Sequence, residues 1–231
     1  MKKIGMIGGL SWVSTAEYYR LLNELAQQKL GGVTSAHLIL ESVNRQAYVE
    51  AVIDRGDEQA ACAMILDAAH AVEQGGAAFI VISCNDVHRF VPEIEPHIAI
   101  PFLHIAEATA DAIKAAGLTS VALLGVRKTM EETFYPEILK RHGIETVIPD
   151  EDQKSFIHDS IYEELVKDVF LDTTRARYVE IIHELQSRGA DGAILGCTEI
   201  PLLLGEKDVD VPVFPTTDIH CRAAIEKATA P

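Results

Sequence analysis

Two cysteines stand where apolar, β-rich runs end: Cys84 in "VISCNDVHRF" (81–90) and Cys197 in "AILGCTEIPLLL" (193–204). A core cysteine normally sits inside such a run, as a small hydrophobe. These two sit at the exit, and small polar or acidic residues follow: Asn85 and Asp86 after one, Thr198 and Glu199 after the other. The two places are related. Displacing the chain by 113 residues lays "HAVEQGGAAFIVISCND" (70–86) on "HELQSRGADGAILGCTE" (183–199), with His70 on His183, Gly76 on Gly189, Cys84 on Cys197 and Asp86 on Glu199. "KIGMIGG" (3–9) has a weaker counterpart in "SVALLGV" (120–126), and "IPFLHI" (100–105) resembles "VPVFPT" (211–216).

Paired thiols from two equivalent halves suit one kind of chemistry. A thiolate can take a proton from one face of a carbon while an opposite thiol returns one to the other face, which inverts the centre without a cofactor. A cysteine pKa of about 8.5 falls toward neutrality near a helix N-terminus or a positive charge. Each cysteine precedes a plausible helix start, so backbone N–H groups are at hand. With Asn85 and Thr198 they could bind a substrate carboxylate and stabilise enolate-like charge. Packed core thiols are the bland alternative, since buried cysteine is common; equivalent strand-end positions argue against it. Cys62, in the Ala-rich "AACAMILDAAH", and Cys221, near the C-terminus, read as core. His88, one helical turn after Cys84, reads as structural, and the cysteine spacings of 22, 113 and 24 fit no metal-ligand pattern.

The elements that must position these groups alternate. Strands are expected at 3–7, 37–43, 77–83, 101–105, 119–124, 144–148, 191–195 and 211–214, and helices at 14–30, 58–74, 106–116, 130–142, 159–169 and 173–187. Glycines at 75, 76, 117, 143 and 189 mark helix ends. Continuous apolar strands between helices imply an α/β fold with parallel sheets. The repeat implies two similar lobes related by a pseudo-two-fold axis. The first would comprise 1–103 with 213–231 and the second 104–212, with the site in the cleft beyond the strands' carboxyl ends. Gly8-Gly9 matches neither GxGxxG nor GxxxxGK[ST] and reads as a tight turn, and the acidic "PDEDQ" (149–153) as a solvated loop.

The bulk numbers bound the partners. The chain has 231 residues, 48% hydrophobic and 24% charged, which suits a folded globular protein. A formal net charge of −15 disfavours nucleic acid and anionic membranes. No apolar stretch approaches the roughly 18 residues of a membrane helix, and "MKKIGMIGGLSW" is too glycine-rich for a signal peptide, so a cytoplasmic location is expected.

"GMIGGLSWVSTAEYY" (5–19), "CNDVH" (84–88), "LLGVRKTM" (123–130) and "GCTEIPLLL" (196–204) together resemble the cofactor-independent aspartate/glutamate racemase family, over residues 2 to about 225. The resemblance implies two Rossmann-like lobes, a homodimer, an amino-acid substrate, and two cysteines working as acid and base without pyridoxal phosphate or metal. It makes Cys84 and Cys197 the catalytic pair. It places Asn85, Asp86, Thr129 and Thr198 around the substrate carboxylate, and Ser11 in the loop lining the same cleft. "NRQAY" (44–48) resembles the stretch that holds an arginine for the side-chain carboxylate, here Arg45; Lys167 is a second basic candidate after a one-residue offset.

Two positions depart from that pattern. The commonly observed Cys-Asn-Thr-x-His has Asp86 as its third residue, and the usual Thr after Gly125 is Val126. A carboxylate beside the thiol would raise the thiol's pKa, repel an acidic substrate and suit an ammonium group instead. Other chemistry on the same scaffold, a cis–trans isomerase or decarboxylase of a diacid, uses one cysteine alone; a two-lobed sensor uses neither.

Overall fold

The computed structural model describes Met1–Pro231. The chain divides into two compact units: Met1–His104 with His220–Pro231, and Ile105–Ile219. Each is a parallel α/β sheet covered by helices on both faces.

The first unit holds β1 (Ile4–Gly8), α1 (Trp12–Leu30), β2 (Leu38–Ser42), α2 (Arg45–Val49), α3 (Glu58–Gln74), β3 (Phe79–Ile82) and the short α4 (Val91–Ile94). Its strand order is β2-β1-β3, with Ile4 opposite Leu38 on one side and Phe79 on the other. Alternate side chains of β1 and β3 enter different cores. Ile7, Ile80 and Ile82 pack with Ile65, Ala69 and Val72 of α3, whereas Ile4, Met6, Phe79 and Val81 pack with Tyr18 and Leu22 of α1. Burial on both faces explains why these strands read as unbroken apolar runs.

The second unit begins with α5 (Ile105–Ala115), β4 (Ser120–Leu124), α6 (Arg127–Glu131), α7 (Phe134–Arg141) and β5 (Glu145–Val147). It continues with α8 (Glu151–Glu163), α9 (Asp172–Ser187), β6 (Ala193–Leu195), α10 (Ile200–Leu203) and β7 (Val213–Pro215). The order is β5-β4-β6-β7, all parallel. Ala122, Leu124 and Leu195 face α8 and α9, while Val121, Leu123 and Ile194 face α5 and α7. The last helix, α11 (Thr216–Thr229), starts directly after β7; from His220 onward it belongs to the first unit, where Ala224 and Ile225 join the α1 face.

Four expectations differ from what is observed. The helix expected at 159–169 is the end of α8, which stops at Glu163 and gives way to a 3-10 turn over Leu165–Lys167, with Asp168 left-handed. The strand expected at 101–105 is a single bridge, Ile80 to Phe102, held by Ile80 N–H to the Pro101 carbonyl and Leu103 N–H to the Ile80 carbonyl. Pro101 has no N–H to extend the ladder, and α5 starts at Ile105. The helix expected at 130–142 is broken at Glu132, whose backbone is extended. The break places Pro136 in the first turn of α7, where its missing N–H costs nothing; in a continuous helix it would remove an interior hydrogen bond. "PDEDQ" is not a loop. Asp150 caps α8 and forms a reciprocal capping box with Gln153, so the helix begins at Glu151.

Candidate active site

In an open α/β sheet, the crevice lies beyond the strand carboxyl ends, where connections on either side of a central strand diverge. In the first unit that place is between β1 and β3. Gly9, directly after β1, has φ +81°, and a Cβ there would collide with the Val43 carbonyl oxygen, so only glycine lets the two loops approach this closely. Ser11 caps α1, its hydroxyl accepting from Ser14 N–H at 3.3 Å. Ser14 Oγ donates to the Ser83 carbonyl at 2.8 Å, and Thr15 Oγ1 lies 3.2 Å from Ser83 Oγ. The β1–α1 loop is therefore tied to the residue immediately before Cys84. Arg45, the first residue of α2, donates from Nη1 to the Leu10 carbonyl, which brings it to that same loop. Ser11, Arg45 and Cys84 thus gather at one end of one sheet.

The residues after Cys84 form a 3-10 turn, Asp86–Phe90. His88 is fully buried and lies 2.8 Å from the Cys84 carbonyl through Nδ1. A carbonyl only accepts, so Nδ1 bears the proton; Nε2 is buried without a hydrogen-bond partner. His88 packs against His104, with ring centroids 4.7 Å apart, and against His220 at 5.5 Å. Burial first, then the neighbouring imidazoles, holds His88 well below the ordinary histidine range. His220 is pushed down to about 4, chiefly by burial. No group of three or more His, Cys, Asp or Glu is placed to hold a metal ion.

The sequence suggested a lone carboxylate at Asp86. The structure shows a paired one. Arg89 Nη1 lies 2.6 Å from Asp86 Oδ2, Arg89 Nη2 lies 2.8 Å from Glu58 Oε2, and the Tyr48 hydroxyl donates to Asp86 Oδ2 at 3.3 Å. The Arg89 guanidinium stacks over the Phe90 ring and is 5% exposed. The expected repulsion of an acidic substrate by Asp86 is therefore opposed by a buried cation on the same turn. Asn85 is buried beside it, and Cys84 is half-buried.

The second unit repeats the arrangement between β4 and β6. Gly196 N–H donates to the Leu124 carbonyl at 2.6 Å, and a Cβ on Gly196 would lie 2.6 Å from that oxygen. Only a glycine allows this contact one residue before Cys197. Thr129 of α6 packs its methyl near Gly196, and its buried hydroxyl has no protein partner. The Cys197 thiol donates to Glu199 Oε2 at 3.1 Å, and Thr198 Oγ1 donates to the same oxygen at 2.9 Å. Glu199 is 2% exposed, and its Oε1 is buried without a hydrogen-bond partner. Thr129, Cys197 and Thr198 are gathered here; Lys167 is not. It lies in a 3-10 turn, 56% exposed, 2.9 Å from Glu163.

Glu199 is the residue that sequence reasoning did not assign. Its signal was available: the 113-residue displacement lays it on Asp86, and it stands immediately before the apolar "IPLLL". The two counterparts have diverged. Asp86 faces a buried arginine, whereas Glu199 has no cation and accepts from the thiol itself. Cys62 and Cys221 are buried in the α3 and α11 cores, and none of the four cysteines forms a disulfide.

Comparison with known proteins fits this geometry. A family model described as Asp/Glu/Hydantoin racemase matches residues 7–224. The broad specificity amino-acid racemase RacX of Bacillus subtilis is 25% identical over 229 residues, covering 98% of this chain and 96% of that protein. The crystal structure of a candidate Asp/Glu racemase from Yersinia pestis superposes with a TM-score of 0.91 at 42% identity, covering 100% of both chains. An aspartate racemase homologue from Pyrococcus horikoshii OT3 gives 0.86 at 33% identity, again over 100% of both. No helix is long and apolar enough to cross a membrane.

Proposed function

The chain belongs to the Asp/Glu/Hydantoin racemase family, and from that premise we propose that it racemises an acidic or related amino acid by a two-base mechanism that needs no cofactor. The observation that carries this reading is the equivalence of the two cysteines. Each follows by two residues the strand paired with the first strand of its own sheet, β3 beside β1 and β6 beside β4, half-buried, directly before a polar turn.

The thiolate of one cysteine takes the Cα proton. The C–H bond breaks, an S–H bond forms, and the electron pair is delocalised into the α-carboxylate. The thiol of the other cysteine then delivers its proton to the opposite face and is left as the thiolate; the reverse reaction restores the first state. Asn85, Thr198 and nearby backbone N–H groups hold the α-carboxylate, where donors already in place stabilise the developing charge. Ser11 and Thr129 supply hydroxyls. Arg45 receives a side-chain carboxylate, as a planar guanidinium does best; Lys167, exposed and paired with Glu163, takes no part. Glu199 accepts from the Cys197 thiol and orients its proton.

The test is Cα hydrogen exchange in D2O, followed by proton NMR across the amino acids, with reductant and no added cofactor. Wild-type protein should exchange the Cα proton of its substrate and accumulate the enantiomer. Cys84→Ser and Cys197→Ser should each slow racemisation by about 100-fold or more, the range for losing a positioned acid or base. Undiminished racemisation by either variant would remove the two-base assignment; absence of exchange across the whole panel would remove the racemase reading.

A further inference from the structure

The turn after Cys84 carries a carboxylate that, standing alone, would obstruct the reaction just described. Asp86 is two residues from the thiol, and its side chain is almost wholly inside the protein. Tyr48 locates the group: its buried phenol is held well above its ordinary range, first by burial, then by the charge of Asp86, with Arg89 opposing and Cys84 adding. Carboxylate, guanidinium and phenol are in direct contact, two residues along the chain from the thiol, in a setting where water screens poorly.

We propose that Arg89 is a specificity-determining residue that offsets the charge of Asp86 beside Cys84 and so admits an anionic reactant to the thiol. Three features fit Arg89 to this task. It meets Asp86 twice, Nη1 lying 2.6 Å from Oδ2 and donating to the backbone carbonyl at 3.1 Å. Its Nη2 is anchored by Glu58 at 2.8 Å, on α3, which orients the fork. Its guanidinium carbon lies over the Phe90 ring, 4.1 Å from the centroid, and the side chain is 5% exposed. A lysine would offer neither the fork nor the stacking. The pair is thus a local feature of the Cys84 half: the corresponding carboxylate of the other half, Glu199, makes no ion pair and instead accepts from its cysteine. The identity of the anionic substrate rests on the racemase reading; the charge effect on Cys84 does not, and the experiment separates them.

Cys84 is alkylated with iodoacetate, which is anionic, and with iodoacetamide, which is neutral, and modification of its peptide is followed by mass spectrometry. Both reagents react with the same thiolate, so a change in thiol ionisation cancels in the ratio of the two rates, and only the local potential remains. Relative to wild type, Arg89→Gln should lower the iodoacetate-to-iodoacetamide ratio at Cys84 by about three- to tenfold, as expected for one uncompensated charge at this range. Asp86→Asn/Arg89→Gln should restore it to within about twofold of wild type, a rescue that loss of structure alone would not produce. An unmoved ratio in Arg89→Gln, or no recovery in the double variant, overturns the proposal. Should Arg89→Gln fail to fold, Asp86→Asn alone decides: the ratio must rise above wild type, and an unchanged ratio refutes the assignment. Where the alkylation pattern holds and turnover is absent, the racemase reading fails while the role of Arg89 stands; where turnover is present, the same variants should change KM for acidic substrates more than for neutral ones.

Discussion

His220→Gln tests the histidine cluster beneath the Cys84 turn through the pH dependence of stability. His220 Nε2 lies 2.8 Å from the Leu103 carbonyl, and Nδ1 lies 2.8 Å from the Tyr18 hydroxyl. The carbonyl only accepts, so Nε2 carries the proton and Nδ1 accepts from Tyr18. Protonating Nδ1 would require Tyr18 to give up that donation inside a dry core. This local conflict accompanies the burial that pushes His220 down to about 4. An unfolded histidine titrates near 6.5, so below that pH the unfolded chain binds a proton that the folded chain refuses. Stability therefore falls as pH falls from about 6.5 and levels off only below about 4. Between about pH 7.5 and pH 5 the loss is about 2 kcal/mol for this one residue. His88, held well below its ordinary range by burial and the neighbouring imidazoles, acts in the same direction. Glutamine can donate to Leu103 and accept from Tyr18 but cannot titrate. Urea unfolding followed by circular dichroism at steps of pH should show the variant losing about 2 kcal/mol less than wild type across that interval, whatever its starting stability. Slopes that agree for the two proteins, or a His220 resonance that titrates near 6.5 in the folded protein, would refute the account of a buried neutral imidazole.

Glu199→Gln changes the acceptor of the Cys197 thiol. Misorienting a proton donor acts on the chemical step rather than on binding, so kcat should fall by about 10- to 100-fold while KM moves little, as read by polarimetry. Gly9→Ala and Gly31→Ala separate strain from collision: both positions have positive φ, but a Cβ at Gly31 meets nothing within 4 Å while one at Gly9 meets the Val43 carbonyl. Denaturant unfolding should show a cost of about 1 kcal/mol for Gly31→Ala and about 1–3 kcal/mol more for Gly9→Ala.

The alternation of strands and helices, and the equivalence of Cys84 and Cys197, were decided by the order of residues alone. Strands buried on both faces must be continuously apolar, and helices that end in a left-handed turn need glycine, as at Gly76 and Gly189. These are local demands, and local patterns record them. Even the misread elements had local signals: Pro136 for the break before α7, and Asp150 with Gln153 for the start of α8. The electrostatic character of the two cysteines was not local. Asp86 reads as a carboxylate beside the thiol that repels an acidic substrate until Arg89 turns back over it and Glu58, 31 residues before the arginine, anchors that arginine. His220 meets Tyr18 across 202 positions in the sequence. Charge and protonation state depend on burial and on which groups meet inside the fold, and neither is a property of spacing along the chain. The sequence by itself determined which residues stand at the strand ends; only the tertiary structure decided that one neighbouring carboxylate is neutralised and the other is left to its thiol.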